Sequence, residues 1–113
     1  MSNEYPKKAS TAGEVKISEN VIRSIAGVSA KEIDGVAELA AVKSSVLRTE
    51  PPVSVQVVHD MVEITLRLVL QNGCRLTNVA EQVQQRVKEN VQSMTGVIVS
   101  KVHVIAADIM FED

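Results

Sequence analysis

Apolar and polar residues alternate over two neighbouring stretches in the middle of the chain. Every second residue is aliphatic over 53–57 and again over 62–70, and a period of two predicts β-strands with one apolar face. His59 and Asp60 separate these stretches, which predicts a hairpin turn. A last strand is predicted over 97–105, because β-branched residues dominate there.

Two other stretches carry apolar residues at the three- and four-residue spacing of a helix. The first follows a short alternating strand at 15–17 and begins at Ser18, whose hydroxyl can cap the first turn, and Gly35 supplies its end. The second spans 75–94 and ends at Gly96. The predicted apolar stripes are Val21, Ile22, Ile25, Ala26 and Ile33 in the first helix and Leu76, Val79, Ala80, Val83, Val87, Val91 and Met94 in the second.

The order strand, helix, hairpin, helix and strand predicts an α+β fold of two layers. A small mixed sheet of three to four strands would carry both helices on one face, with the long helix crossing over to a parallel last strand. We expect one domain over residues 13–109, a flexible tail over 1–12 and a short tail over 110–113. The pattern leaves the strand order and the conformation of residues 36–52 open.

Composition indicates an aliphatic core. Hydrophobic residues make up 45% of the 113 residues, and Tyr5 and Phe111 are the only aromatic ones. The formal net charge of −2 lacks the basic excess that nucleic acids attract, and the sequence offers no stacking aromatics on its strands and no GxxG loop. No apolar run approaches the roughly 20 residues of a membrane span. We therefore expect a protein that neither binds nucleic acid nor inserts into a membrane. Because Cys74 is the single cysteine and no charged-then-apolar segment begins the sequence, we expect it to be cytoplasmic.

Catalytic and metal-binding signals in the sequence are weak. Neither His59 nor His103 has a cysteine or carboxylate at a metal-ligand spacing, and no glycine-rich phosphate loop occurs. We expect no metal, cofactor or catalytic residue. Cys74 follows Gly73 at the start of the second helix, a position that reactive cysteines often occupy. One alternative therefore stays open, a small-ligand or enzymatic domain in which Cys74 acts with a histidine.

Part of the predicted sheet points away from the helices and forms a candidate protein interface. The aliphatic side chains of this candidate interface have two possible roles. They are ordinary strand surface, since isolated exposed aliphatic side chains are common, or they form a binding surface. A small sheet also has open edges, which can pair with another copy of the chain, so self-association is a hypothesis. The candidate interface consists of Val58, Arg67, Val69, Val99, His103 and Ile105.

Four blocks of sequence resemble the alkaline shock protein family. They are GEVKISENVI from Gly13, IAGVSAKEIDGV from Ile25, VAEQVQQRV from Val79 and MTGVIVSKVHV from Met94. The resemblance covers residues 13–109, with the blocks in the same order as in the family and at similar spacing. Several blocks together are more specific than any one of them.

The resemblance implies a non-enzymatic cytoplasmic protein, mainly of Gram-positive bacteria, that serves cell-envelope stress response and homeostasis. It also implies self-assembly and attachment at the membrane through an anchor protein, and it brings no catalytic residues. On this basis we expect a scaffold or adaptor that forms a homo-oligomer and binds a membrane-anchored partner.

Overall fold

The computed structural model describes residues 18–40 and 51–111 as a helical layer packed on a sheet. The elements in chain order are α1 (Glu19–Lys31), β1 (Val36–Leu39), β2 (Val53–Val58), β3 (Met61–Gln71), α2 (Leu76–Thr95) and β4 (Val99–Met110). The predicted α+β architecture with a small mixed sheet is confirmed. The predicted strand at 15–17, the tail at 1–12 and much of the loop before β2 lie outside the described residues.

β3 is the central strand of the sheet. β4 pairs with it in parallel from Val62 to Gln71. β2 and β1 share the other side, where β2 is antiparallel to residues 61–66 and β1 is antiparallel to residues 68–70. β1 lies in the stretch whose conformation the sequence left open, because its four residues are too few to show a clear period.

One face of β3 is buried against the helices. Its residues alternate between buried and half-exposed along the whole strand, as the predicted period of two requires. α2 covers this face with a narrow stripe of valines at every fourth position. Each such side chain stabilises the fold by about 1.5–3 kcal/mol when it leaves water. The buried residues of the two elements are Val62, Ile64, Leu66, Leu68 and Leu70 in β3 and Val79, Val83, Val87 and Val91 in α2.

The helix stripes are narrower than the sequence pattern predicts. Val21 and Leu76 are each 49% exposed and Met94 is 67% exposed, because all three lie in the first or last turn of their helix. On α1 the buried face instead includes Gly27 and Ser29. A Cβ atom at Gly27 would lie 3.2 Å from Leu39 Cδ1, so this glycine allows α1 to approach β1 closely.

The predicted helix ends are confirmed at two of three positions. The Ser18 hydroxyl accepts a hydrogen bond from the Val21 amide at 3.3 Å, and Gly96 ends α2 with a left-handed φ of 77°. Gly35 also has a positive φ, but α1 ends earlier, with Glu32 as its C-cap. Gly35 therefore serves the turn into β1 and not the end of the helix.

The predicted hairpin turn is confirmed at His59 and Asp60. Both residues have positive φ, 52° and 66°, and they connect Val58 to its cross-strand partner Met61. Two consecutive left-handed residues make a type I′ turn, whose twist matches that of the flanking strands.

The two helices are joined by a buried polar contact. Ser29 is 2% exposed, and its hydroxyl accepts a hydrogen bond from Asn90 Nδ2 at 2.7 Å. At the surface, Arg86 Nη1 lies 2.7 Å from Glu32 Oε1 and connects the same helices. The buried contact fixes how the two helices lie against each other, whereas an exposed ion pair contributes little.

We expect Asn90→Ala to lower the free energy of unfolding by about 1–3 kcal/mol, because the buried Ser29 hydroxyl loses its partner. Gln82→Ala on the exposed face of the same helix is the matched control and should change stability by no more than about 0.5 kcal/mol. Urea denaturation followed by circular dichroism measures both. Equal stability of the two variants would contradict the structural role of this contact.

Gly35→Ala is expected to be more destabilising than Gly73→Ala. Both glycines have positive φ, so each alanine costs about 1–2 kcal/mol of backbone strain. A Cβ atom at Gly35 would also lie 2.7 Å from Val79 Cγ2, whereas nothing lies within 4 Å of a Cβ atom at Gly73. Thermal and urea unfolding should show a further loss of about 1–3 kcal/mol at Gly35; similar losses at both positions would count against the close contact.

Candidate interaction surface

The sheet face opposite the helices is not covered by any of the residues 18–40 and 51–111. The residues of β3 on this outer face are each half-exposed, and register partners on β2 and β4 extend it to both sides. The β3 residues of the outer face are Met61, Glu63, Thr65, Arg67 and Val69.

Five of the six predicted interface residues lie together on this outer face. In the parallel register His103 lies beside Thr65 and Ile105 beside Arg67, and partners in adjacent strands share a face. Val58 joins them through its pairing with Met61 on β2. Their position on one exposed face is as predicted, and their role as an interface stays a prediction.

The predicted orientation of Val99 is wrong. Val99 is 2% exposed and lies beside the buried Val62, while the next register pair is Glu63 with Lys101. Ser100 is therefore an extra residue in β4, and such a β-bulge reverses the alternation of side chains on either side of it. Strict alternation through the strand had placed Val99 on the outer face with His103, so Val99 belongs to the core.

The polar end of the outer face is organised around Glu63. His103 Nε2 lies 3.7 Å from Glu63 Oε1, a distance at which a protonated imidazole makes an ion pair. Lys101 is the register partner of the same glutamate. This end of the face therefore combines a carboxylate with two basic side chains on the neighbouring strand.

Arg67 holds the sheet together as well as lining its outer face. Its Nη1 donates to the Pro51 carbonyl at 3.2 Å, its amide donates to the Pro52 carbonyl at 2.8 Å, and its carbonyl accepts from the Ala40 amide at 2.9 Å. Arg67 thus binds both chain segments that border residues 41–50. A substitution of Arg67 would disturb the fold as well as the surface, so Ile105 is the better position for testing an interface.

The second half of β4 exposes more apolar surface than the sequence pattern predicted. The strand continues to Met110, five residues past the predicted end, and residues 103–111 are all at least partly exposed. A second bulge at Ala107, between the pairs Leu68 with Ala106 and Val69 with Asp108, breaks the alternation that would have revealed it. The exposed side chains are Ile105 at 42%, Ile109 at 46%, Met110 at 42% and Phe111 at 69%.

A groove of about 490 Å³ runs between α2 and the free edge of β4, which is the edge on which no strand of the described residues lies. Its walls are largely polar and include Glu81, Lys88 and His103. Among the described residues no group of three or more histidine, cysteine, aspartate or glutamate side chains could hold a metal ion. No described helix is long and apolar enough to cross a membrane.

Cys74 and the histidines lie at separate places in the fold. The thiol packs half-buried against the core beyond the last residue of β3, whereas His59 precedes the first residue of that strand. His103 lies beside Thr65. Thr65 comes six residues before Gln71, the end of β3 near which Cys74 lies, and six residues span about 20 Å along a strand. The structure does not bring Cys74 together with either histidine.

Comparisons with known proteins give a family and a fold. A profile of the alkaline shock protein family, described by a cell envelope-related function, matches residues 7–111. Uncharacterized protein YqhY of Bacillus subtilis is 27% identical over 107 residues, covering 88% of this chain and 79% of the relative. Uncharacterized protein Spy1614 of Streptococcus pyogenes is 31% identical over 106 residues, covering 86% and 88%. A solved histidine-to-alanine variant of MamM-CTD is similar in fold, with a TM-score of 0.51 and 11% identity over 85% of this chain and 100% of that one.

Val99→Asp and Ile105→Asp should separate the core from the surface of β4. A carboxylate at the buried Val99 has no partner, so we expect a loss of about 4 kcal/mol or more and an unfolded protein. The same change at the 42% exposed Ile105 should cost about 1 kcal/mol or less and leave the far-ultraviolet circular dichroism unchanged. Tolerance of aspartate at both positions would contradict the bulge at Ser100.

Proposed function

Because the chain belongs to the alkaline shock protein family, whose function is cell envelope-related, we propose that it is a non-enzymatic scaffold or adaptor of the envelope stress response. It associates with further copies of itself and with a membrane-anchored partner. Through that partner it is held at the cytoplasmic side of the cell membrane.

The observation that carries this proposal is the uncovered outer face and its continuation along β4. Ile105 is 42% exposed on that face, and Ile109, Met110 and Phe111, at the end of β4 and just beyond it, are 42–69% exposed. Large apolar side chains that cluster on a surface are typical of protein interfaces. The polar residues Glu63 and His103 lie on the same face as Ile105 and give the surface a defined orientation.

The positions of the reactive side chains favour a binding role over a catalytic one. A nucleophilic cysteine needs a base within hydrogen-bond reach, and the register separates Cys74 from His103 by several residues along the sheet. The polar side chains of the outer face make contacts with one another and with the backbone, as Arg67 does with Pro51. These features support a surface that recognises other proteins.

We expect the wild-type protein to form larger species as its concentration rises, and Ile105→Asp to weaken this association because it places a charge on the exposed apolar surface. Val28→Asp is the matched control, since Val28 is 62% exposed on the outer side of α1 and lies in a different layer. Sedimentation velocity over a wide concentration range measures the association. Loss of association in the control and not in Ile105→Asp would contradict the assigned surface.

Cell fractionation tests the envelope part of the proposal. In the cells that produce it, the wild-type chain should sediment with membranes and be released by alkaline carbonate without detergent, as expected for attachment through a protein. A wild-type chain that is monomeric at all concentrations and never found with membranes would overturn the proposed function.

A further inference from the structure

The free edge of β4 is capped by side chains at both ends. The Val99 amide donates to Gln92 Oε1 and Gln84 Nε2 donates to the Val102 carbonyl, each at 3.0 Å. Near the other end, Asp108 Oδ1 accepts from the Ile109 amide at 2.8 Å. Side chains that occupy edge groups block the addition of a further strand. Within the part of the chain that the structure describes, the caps leave the stretch 103–108 open, and this stretch has the length of an ordinary strand.

Residues 103–108, the open edge stretch, contain backbone amides and carbonyls that can bond to a further strand. The Val102 carbonyl bonds to α2 and so points away from β3. Backbone groups alternate in direction along a strand, so the amides and carbonyls of Val104 and Ala106 also point away from β3. Among the described residues no other strand lies on this side of β4.

We propose that the open edge stretch pairs antiparallel with the same stretch of a second copy, around a two-fold axis at Ile105. This inference rests on the self-association in the proposed function and specifies the edge and the register. Val104 of each copy lies opposite Ala106 of the other, and these residues exchange amide-to-carbonyl hydrogen bonds. The two Ile105 side chains meet at the axis as a non-hydrogen-bonded pair.

The faces of the two copies match in this register. Val104 and Ala106 are register partners of the buried Leu66 and Leu68, so both belong to the helix face, and Ile105 belongs to the outer face. Cross-strand partners in an antiparallel pair must share a face. Because Ala107 is the extra residue of the second bulge, the next outer-face pair is His103 opposite Asp108.

Charge complementarity favours a second copy of this chain as the occupant. His103 and Asp108 flank Ile105 on the same face, so the two-fold axis places the imidazole of each copy opposite the Asp108 carboxylate of the other, twice in one dimer. A protonated imidazole forms an ion pair there and a neutral one can donate a hydrogen bond. Opposite charges directly across a strand pair are stabilising and like charges are destabilising. The same axis also brings together the exposed Ile105 side chains, each 42% exposed in the single chain.

Cysteine cross-linking tests the position of the axis. In a Cys74→Ser background, Ile105→Cys should form a disulfide-linked dimer under mild oxidation, because Cα atoms of a non-hydrogen-bonded pair lie about 4.5 Å apart, within disulfide range. Val57→Cys is the matched control, since Val57 is 44% exposed on β2, at the opposite edge. It should stay monomeric on a non-reducing gel, with circular dichroism confirming that both variants are folded.

A charge exchange tests the register. His103→Asp should weaken dimerisation roughly tenfold, because it places two carboxylates opposite one another twice, and Asp108→Lys should weaken it because it removes the acidic partner of each His103. The double variant restores opposite charges and should return dimerisation to near the wild-type level in sedimentation velocity. Recovery of this kind is not expected if the single variants only disturb the fold of each copy.

The edge pairing is overturned if the wild-type chain associates but Ile105→Cys does not cross-link, or if Val57→Cys cross-links more strongly. Either result leaves the proposed self-association in place. Failure of the double variant to recover while both single variants weaken association overturns the register. A wild-type chain that is monomeric at every concentration overturns both the pairing and the self-association on which it rests.

Discussion

Burial of one face of β3 is the constraint on which the other elements depend. This strand has neighbours on both sides and the valine stripe of α2 on one face, so Leu66 and Leu68 are wholly removed from water. A shift of its register by one residue would expose the whole buried set and bury Glu63 and Arg67. The positions of β1, β2 and β4 follow from this one strand, because each pairs with it and not with one another.

The same constraint produces the outer surface. Every second side chain of β3 points away from the helices, so burial of one face of the strand necessarily creates the outer face. β4 lies beside β3 in parallel and extends both faces. The two bulges of β4 then decide which of its side chains join that face. Ser100 turns Val99 into the core, and Ala107 turns Asp108 outward. Such local departures from regular alternation determine which side chains the outer face presents.

Sequence patterns predicted the long elements well and the edge of the sheet poorly. The hairpin and α2 have strong periods because one whole face of each is buried, and the turn at His59 and Asp60 lies between two clear alternations. β1 is four residues long and pairs with an irregular register. In β4, the alternation fails at both bulges, so neither the burial of Val99 nor the extension of the strand to Met110 could be read from the residues alone. Arg67 was found as a surface residue, but its bonds to Pro51 and Pro52 depend on tertiary structure.

The likeness in fold to MamM-CTD at 11% identity shows how little sequence the architecture itself requires, since alternation and a helical stripe suffice. The free edge of β4 is a feature of this chain that the shared architecture does not determine. Here Gln84, Gln92 and Asp108 occupy edge groups at both ends of β4, which limits strand addition to a short central stretch. An edge that is open only over a short stretch differs from a wholly open edge, because the side chains at its two ends disfavour the sliding registers that lead to aggregation.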